Sequence, residues 1–200
     1  LKEPGDTVTV MASLRTALAE GVREWKSRVQ VMAHEIHSNP EVAFEEVRSS
    51  AAAAGLLAEG GFTVERGTGG LATAFTATAG SGALKVALCV EYDALPNIGH
   101  ACGHNLIAGA SVAAALALES HVEELGITLK AIGTHAEENG CGKARLLERA
   151  AVDWRRIARW VQRVQDGGTY DTAGAAASAT ARAGVRQYGR AAHRRRAPRP

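Results

Sequence analysis

Acid, thiol and imidazole groups crowd one stretch of the sequence, residues 90–105, which holds Asp93, His100, Cys102 and His104. Cys102 and His104 are two apart, so in an extended segment both side chains point the same way. A thiolate and a neutral imidazole converging from one side can chelate a divalent metal. A second cluster, His135, Glu137 and Glu138, follows another apolar run. Adjacent carboxylates at a strand end point in different directions, so one can bind a metal while the other acts as a general base. Together the two clusters make a metal-assisted hydrolase the first hypothesis. Plainer readings use the same residues: a buried cysteine, a helix-capping histidine, a solvated acidic pair. A thiol enzyme with Cys102 as nucleophile and His104 as base is another. Its two-residue spacing is awkward, and only Asp93 is at hand to orient the base.

Both clusters need elements to hold them. The β-forming run 84–92 leads into the first, and an apolar helix, 106–118, leads away. Pro96, Gly99 and Gly103 let the intervening loop fold back on itself. Residues 127–134 read as a buried strand that delivers the second cluster. Strand–loop–helix junctions are where open α/β sheets place ligands, outside the carboxyl ends of the strands. Upstream, Leu14, Leu18, Val22, Trp25, Val29, Met32 and Ile36 recur at helical spacing, predicting a helix over 11–37 after a frayed lead-in. Asn39-Pro40 stops it. A second helix spans 45–59 and ends at Gly60-Gly61. Residues 62–65 and 71–77 read as strands, and 84–90 as the central strand. The helix 106–118 is apolar nearly all round and is expected to lie buried beneath the loop it leaves. Alternating strands and helices point to an α/β fold with a largely parallel sheet.

Composition narrows the class. Hydrophobic residues make up 46% of 200, ample for a core. No apolar run is long enough to span a bilayer, and residues 1–10 do not read as a signal peptide. Three cysteines leave an odd one, which argues against a disulfide framework and fits a reducing cytoplasm. The net charge of +2 hides an asymmetry. Up to Trp154 there are 12 Lys+Arg against 19 Asp+Glu, or −7; from Arg155 onward, 11 Arg against 2 Asp, or +9. The arginine-rich end allows a non-enzymatic alternative, nucleic-acid binding, but no aromatic interleaving supports it and no nucleic-acid partner is expected.

Three ordered motifs carry a resemblance. Residues 91–105 (EYDALPNIGHACGHN), 133–148 (GTHAEENGCGKARLLE) and, upstream, 34–46 (HEIHSNPEVAFEE) resemble the aminoacylase and carboxypeptidase-G-type metallopeptidases. The likeness is to their amidohydrolase branch, and it runs from about Val31 to Asp153. It implies a three-layer α/β/α catalytic domain with a mixed, largely parallel sheet, here incomplete, and the start of an inserted α+β lid. The resemblance further implies two divalent metals, Zn or Mn, with Cys102, His104 and Glu138 as ligands. Glu137 would be the catalytic acid and base, Asp93 would orient a ligand, and His193 would be the lid histidine that meets substrate. The implied substrate is an N-acyl amino acid or dipeptide-like amide, the implied assembly a homodimer, the implied location cytoplasmic.

Departures begin near residue 150. Where relatives have a strand ending in a metal-binding histidine, residues 154–163 hold none. Residues 188–193 (YGRAAH) again resemble the start of the lid, before a basic run to the end. Loss, recovery and loss of resemblance point to reading-frame slips in a high-GC coding sequence. The expected division is therefore a catalytic part, 1–153, a divergent segment, 154–182, and a lid remnant, 183–200. Residues 155–187 are expected to pack poorly, and the chain to be inactive or weakly active. Cys89 is expected in the core. Cys141, standing where relatives usually have glycine, is assigned no function, and His100 is expected to make a loop hydrogen bond.

Overall fold

The computed structural model describes residues 4–149. The expected segments 154–182 and 183–200, with His193 and the loosely packed stretch 155–187, lie outside the described residues.

Helix α1 (Pro4–Ser38) takes in most of the lead-in expected to fray. It ends where expected, because the residue before Pro40 avoids helical geometry. Its buried stripe is Val29, Met32, Ala33 and Ile36. Helix α2 (Val47–Glu59) stops at Gly60, and its small residues Ala53 and Ala54 are fully buried. Strands β1 (Thr63–Arg66) and β2 (Phe75–Ala79) follow. The second starts later than residue 71 because the chain first turns through left-handed Gly67, Gly69 and Gly70. There the Gly67 N–H closes on the Ala74 carbonyl at 2.8 Å. Next come β3 (Leu84–Glu91), α3 (His104–Glu119), β4 (Ile127–Thr134) and two short helices, α4 (Glu137–Gly140) and α5 (Gly142–Glu148).

The sheet is mixed, in the order β1-β2-β4-β3. The β1–β2 and β2–β4 pairings are antiparallel, and β3–β4 is parallel. Among the described strands the inner ones are therefore β2 and β4, and β3, expected to be central, lies at the edge. Strands β3 and β4 are both apolar runs, and hydropathy alone could not rank them; neighbours on both sides bury β4, while β3 has only β4 beside it. Leu129, Ala131, Phe75, Ala77 and Val90 share one face, and α1, α2 and α3 pack over it into a single core. Each fully buried large apolar side chain there contributes about 1.5–3 kcal/mol. Gly133 has a steric reason: a Cβ would collide with the Phe75 ring and meet the Tyr92 hydroxyl at 2.8 Å. Those two rings stack 6.0 Å apart across the gap it leaves. On the opposite face α5 makes a start, with Leu146 fully buried.

Helix α3 departs from the expectation of burial all round. Ala108, Val112 and Ala115 are fully buried, but Leu106 is 68% exposed and Ile107 38%. These two side chains face away from the core, while His104, Asn105 and Ala108 in the same stretch are buried. No helix among the described residues is long and apolar enough to cross a membrane.

One register fact positions everything that follows. Glu91 pairs with Thr134, so the parallel strands β3 and β4 end side by side. The loops that carry the two clusters leave from one edge of the sheet.

Candidate metal centre

The loop after β3 is tied down twice. Leu95 and Gly99 exchange backbone hydrogen bonds of 2.9 and 3.1 Å, closing the turn through left-handed Asn97 and Gly99. The Ala94 N–H donates to the Glu41 carbonyl at 2.8 Å, and Val42 and Ala94 form a parallel bridge. The upstream motif thus lies alongside Asp93. At the end of α1 the His37 ring stacks on His100 at 6.2 Å, while His34 stays exposed. Burial lowers the His100 pKa.

Asp93, buried just past the end of β3, is the hinge between the two clusters. Its Oδ1 lies 2.8 Å from His104 Nδ1, and its carbonyl oxygen 3.0 Å from the same nitrogen. Its Oδ2 accepts the Glu138 N–H at 3.1 Å. Burial alone would raise the Asp93 carboxyl, but the hydrogen bonds from His104 and Glu138 overcome it and hold the group below its usual range. The same bond holds the His104 imidazole above its ordinary pKa, against the opposing pull of burial. With two oxygens at Nδ1, that nitrogen carries the proton, and in the neutral ring Nε2 presents its lone pair.

What Nε2 faces is informative. Glu91 Oε2 and Glu138 Oε1 each lie 3.4 Å from it. That is long for a hydrogen bond. It is close to the ~3.3 Å edge of a tetrahedron whose centre lies ~2.0–2.1 Å from nitrogen and oxygen ligands. The Cys102 thiol is exposed at the surface, with the Glu138 carboxylate near enough to raise its pKa. Imidazole, two carboxylates and a thiol thus border one small region. Among the described residues no three such side chains are already gathered into a metal cage, and Cys102 would have to turn in to reach an ion there. The donor types suit a divalent cation, and the two separations from His104 Nε2 match a tetrahedral edge.

The segment 102–104 is not extended as the two-apart argument assumed. Gly103 is left-handed, with φ 75°, and His104 already begins α3. Cys102 and His104 meet through Glu138 rather than by pointing the same way. The nucleophile reading weakens for a related reason. The nearby Glu138 carboxylate, more than burial, raises the Cys102 pKa, and a reactive cysteine needs the opposite. Cys89 is half-buried, its thiol pushed up to about 11 by burial. Cys141 is exposed and left-handed, with φ 51°, a conformation that suits glycine.

Glu137 and Glu138 diverge. Glu138 turns to His104, whereas Glu137 turns to α5. Glu137 Oε1 lies 3.1 Å from Lys143 Nζ, and its Oε2 accepts the Lys143 N–H at 3.3 Å. Lys143 also pairs with Glu91 Oε1 at 2.5 Å. Burial alone would lower the Lys143 pKa, but Glu137 and Glu91 hold it well above the ordinary range.

Four residues that carry weight here were given no part by sequence reasoning. Glu91 could have been found as the single acid at the end of β3. Lys143 had the weaker signal of a lone cation after a glycine-rich turn. Glu46, fully buried, gave none, since an acid at the start of a helix reads as solvated; His135, 1% exposed, was visible in the second cluster but was assigned no role. His135 packs against Phe44 at 5.4 Å, and neither of its ring nitrogens has a hydrogen-bond partner. Burial, then Arg145, lowers its pKa.

No protein-family model matches the chain. Over 213 residues it is 35% identical to the Xaa-Arg dipeptidase of Mus musculus, a match covering 96% of this chain and 47% of that protein. Over 162 residues it is 32% identical to a p-aminobenzoyl-glutamate hydrolase chain of Escherichia coli (strain K12), covering 72% of this chain and 34% of the relative. These relatives match the family that the three motifs resemble, the aminoacylase and carboxypeptidase-G-type metallopeptidases. The similarity reaches beyond the stretch 31–153, since the match to the mouse protein takes in nearly the whole chain. The fold is that of a dinuclear metal binding peptidase of the M20 family from Bacillus subtilis, with a TM-score of 0.59 at 24% identity. That alignment covers 66% of this chain and 41% of the neighbour. The chain spans less than half the length of each of these relatives.

Proposed function

We propose that the chain carries the metal-binding half of an amidohydrolase that cleaves the amide bond of N-acyl amino acids or dipeptide-like substrates. The observation that carries this is His104, its Nδ1 held by Asp93 and its Nε2 facing two carboxylates, with Cys102 near one of them. Cys102, His104 and Glu138 would hold a divalent cation, zinc or manganese, and Glu91 stands ready as a fourth donor. Bound there, the cation would supply Lewis acidity, polarising a substrate carbonyl and lowering the pKa of water towards ~7.

The chain's own residues do the rest. Asp93 fixes the imidazole orientation and, through the Glu138 N–H, the direction of Glu138. Glu137 takes a proton from the attacking water onto a carboxylate oxygen and passes it to the amide nitrogen as that nitrogen leaves. Lys143, 3.1 Å from Glu137, keeps that carboxylate from swinging into the cation's place beside Glu138. A second cation, which the resemblance implies, would need ligands beyond the described residues, because Lys143 already engages the remaining oxygens of Glu91 and Glu137. The substrate class is supported by the names of the relatives, a dipeptidase and an aminobenzoyl-glutamate hydrolase.

Metal analysis of the purified chain after dialysis is the direct test. About one equivalent of divalent metal is expected, removed by chelator. Hydrolysis is to be measured with dipeptides and N-acyl amino acids, in this chain and in a version extended to the length of its relatives. Chelator should abolish turnover, and iodoacetamide should slow it only as far as it displaces metal. Turnover that survives chelator and dies with iodoacetamide would overturn the reading in favour of a thiol enzyme.

A further inference from the structure

Glu46 is the most deeply buried acid in the described structure, and the mechanism above leaves it without a part. Its Oε1 accepts the Ala136 N–H at 2.7 Å, 90 residues along the chain. Its Oε2 accepts the Thr73 hydroxyl at 2.8 Å. Thr73 in turn offers its carbonyl oxygen to the Tyr92 hydroxyl. Glu46, Thr73 and Tyr92 are all buried, so the network runs through the interior from the start of α2 to both strand ends. Tyr92 immediately precedes Asp93, and Ala136 immediately precedes Glu137 and Glu138.

The backbone at Ala136 shows why an anchor matters. It is left-handed, with φ 50° and ψ 41°, a conformation that costs a non-glycine residue something to hold. That turn is what sends Glu137 towards Lys143 and Glu138 towards His104. A charge-assisted hydrogen bond to a backbone N–H is the stronger kind, and inside the protein it exchanges with no water. The first sequence motif, residues 34–46, thereby acts on the third through the backbone N–H of Ala136.

We infer that Glu46 is a positioning residue: with Thr73 and Tyr92 it clamps the left-handed turn at Ala136, and so sets the divergence of the two glutamates that bind metal and move the proton. The inference rests on the function proposed above, but part of its test does not. Hydrogen–deuterium exchange of the peptide spanning 136–138 reads the clamp directly, with no metal present. Titration with cobalt(II) alone, followed by its thiolate charge-transfer and d–d absorption, reads the assembled site.

Glu46→Leu should raise exchange at 136–138 at least tenfold relative to the strands. It should also weaken cobalt binding by roughly 10–100-fold, the usual effect of losing a partner that orients ligands. Glu46→Gln should rescue both to within about threefold of the parent, because its amide oxygen still accepts from Ala136 and its amide nitrogen can donate to Thr73. A purely structural role predicts otherwise: a lower melting temperature with exchange raised evenly and cobalt affinity unchanged, and that result overturns the inference. If Glu46→Leu does not fold, Thr73→Val carries the test, since it leaves Glu46 in place but removes one of its two anchors. It should raise exchange at 136–138 severalfold, and unchanged exchange would overturn the inference. If the parent itself binds no cobalt, the metal function fails while the exchange measurement still decides the clamp.

Discussion

The two loops at the sheet edge do similar work by different means. The loop after β3 is held mostly from close by: residues 95–99 close their own turn and Asp93 Oδ1 meets His104, while the Glu41 carbonyl on Ala94 and the Glu138 N–H on Asp93 reach it from outside. The loop after β4 is held from outside. Its left-handed Ala136 is anchored by Glu46, its Glu138 by Asp93, its Glu137 by Lys143, and its His135 by no hydrogen bond. A loop that carries a reacting group must hold an unusual geometry, and one pinned by remote residues can hold it without crowding its own tip. The corollary is that the β4 loop is the more easily disabled from far away in sequence, whereas the β3 loop depends more on its own residues.

The largest expected effect separates the two adjacent glutamates of the β4 loop. Glu137→Gln keeps shape but cannot accept the proton, so in the extended protein turnover should fall by at least ~10²–10⁴-fold with metal retained. Glu138→Gln should instead lose metal, because a neutral amide is a far poorer ligand than a carboxylate. Metal content and turnover measured side by side check the assignment. Loss of metal in Glu137→Gln with metal and turnover kept in Glu138→Gln would reverse the roles.

A somewhat smaller effect is expected from the β3 loop. Asp93→Asn retains an oxygen for His104 but places an amide N–H against the Glu138 N–H, donor to donor. It also removes the charge that keeps Nδ1 protonated. Metal affinity should drop about 10–100-fold, with exchange at 136–138 rising as well, since Glu138 loses its anchor. An unchanged affinity would break the claim that Asp93 couples the two loops.

How much of this was legible in the sequence follows the same division. The β3 loop was readable because its signals are local: Pro96 and Gly99 announce a turn, and Cys102 and His104 announce themselves by type. The strand bounds 127–134 and the stops at Pro40 and Gly60 were readable for the same reason, since each depends on its own residues. The centrality of β4 was not, because which of two apolar runs gains two neighbours is decided by pairing across the sheet. Nor was the exposure of Leu106 and Ile107, which depends on which side of an all-apolar helix the core takes up. Glu46 was invisible and Lys143 nearly so for a sharper reason. Their importance lies largely in partners 90 and 52 residues away, and no periodicity records that.

Lys143 tests the outside support electrostatically. It is 25% exposed and pairs with both Glu91 and Glu137. Lys143→Met leaves the two carboxylates facing each other without compensation, and should cost about 1–2 kcal/mol of stability, the partial exposure moderating the penalty of a fully buried pair. The urea midpoint checks this. Added divalent metal should recover part of the loss, since a cation near Glu91 would offset the same repulsion.

The smallest effect concerns His135, the one group in the β4 loop that nothing anchors. Two buried ring nitrogens without partners are a cost, and His135→Leu removes them while keeping apolar contact with Phe44. Stability near pH 8 should rise by about 1 kcal/mol. The pH dependence should change in a definite direction. Burial, reinforced by Arg145, depresses the folded-state pKa of His135, so below the unfolded value near ~6.5 the unfolded chain takes up a proton that the folded chain refuses. Stability from this group is therefore complete above about pH 7 and is lost as the pH falls through 6.5 towards 5. The substitution should flatten that part of the curve, making the gain over the parent larger at pH 5 than at pH 8. Equal gains at both values would mean that His135 is charged in the folded state, paired through an acid such as Asp93 or Glu137. The β4 loop would then have an anchor of its own after all.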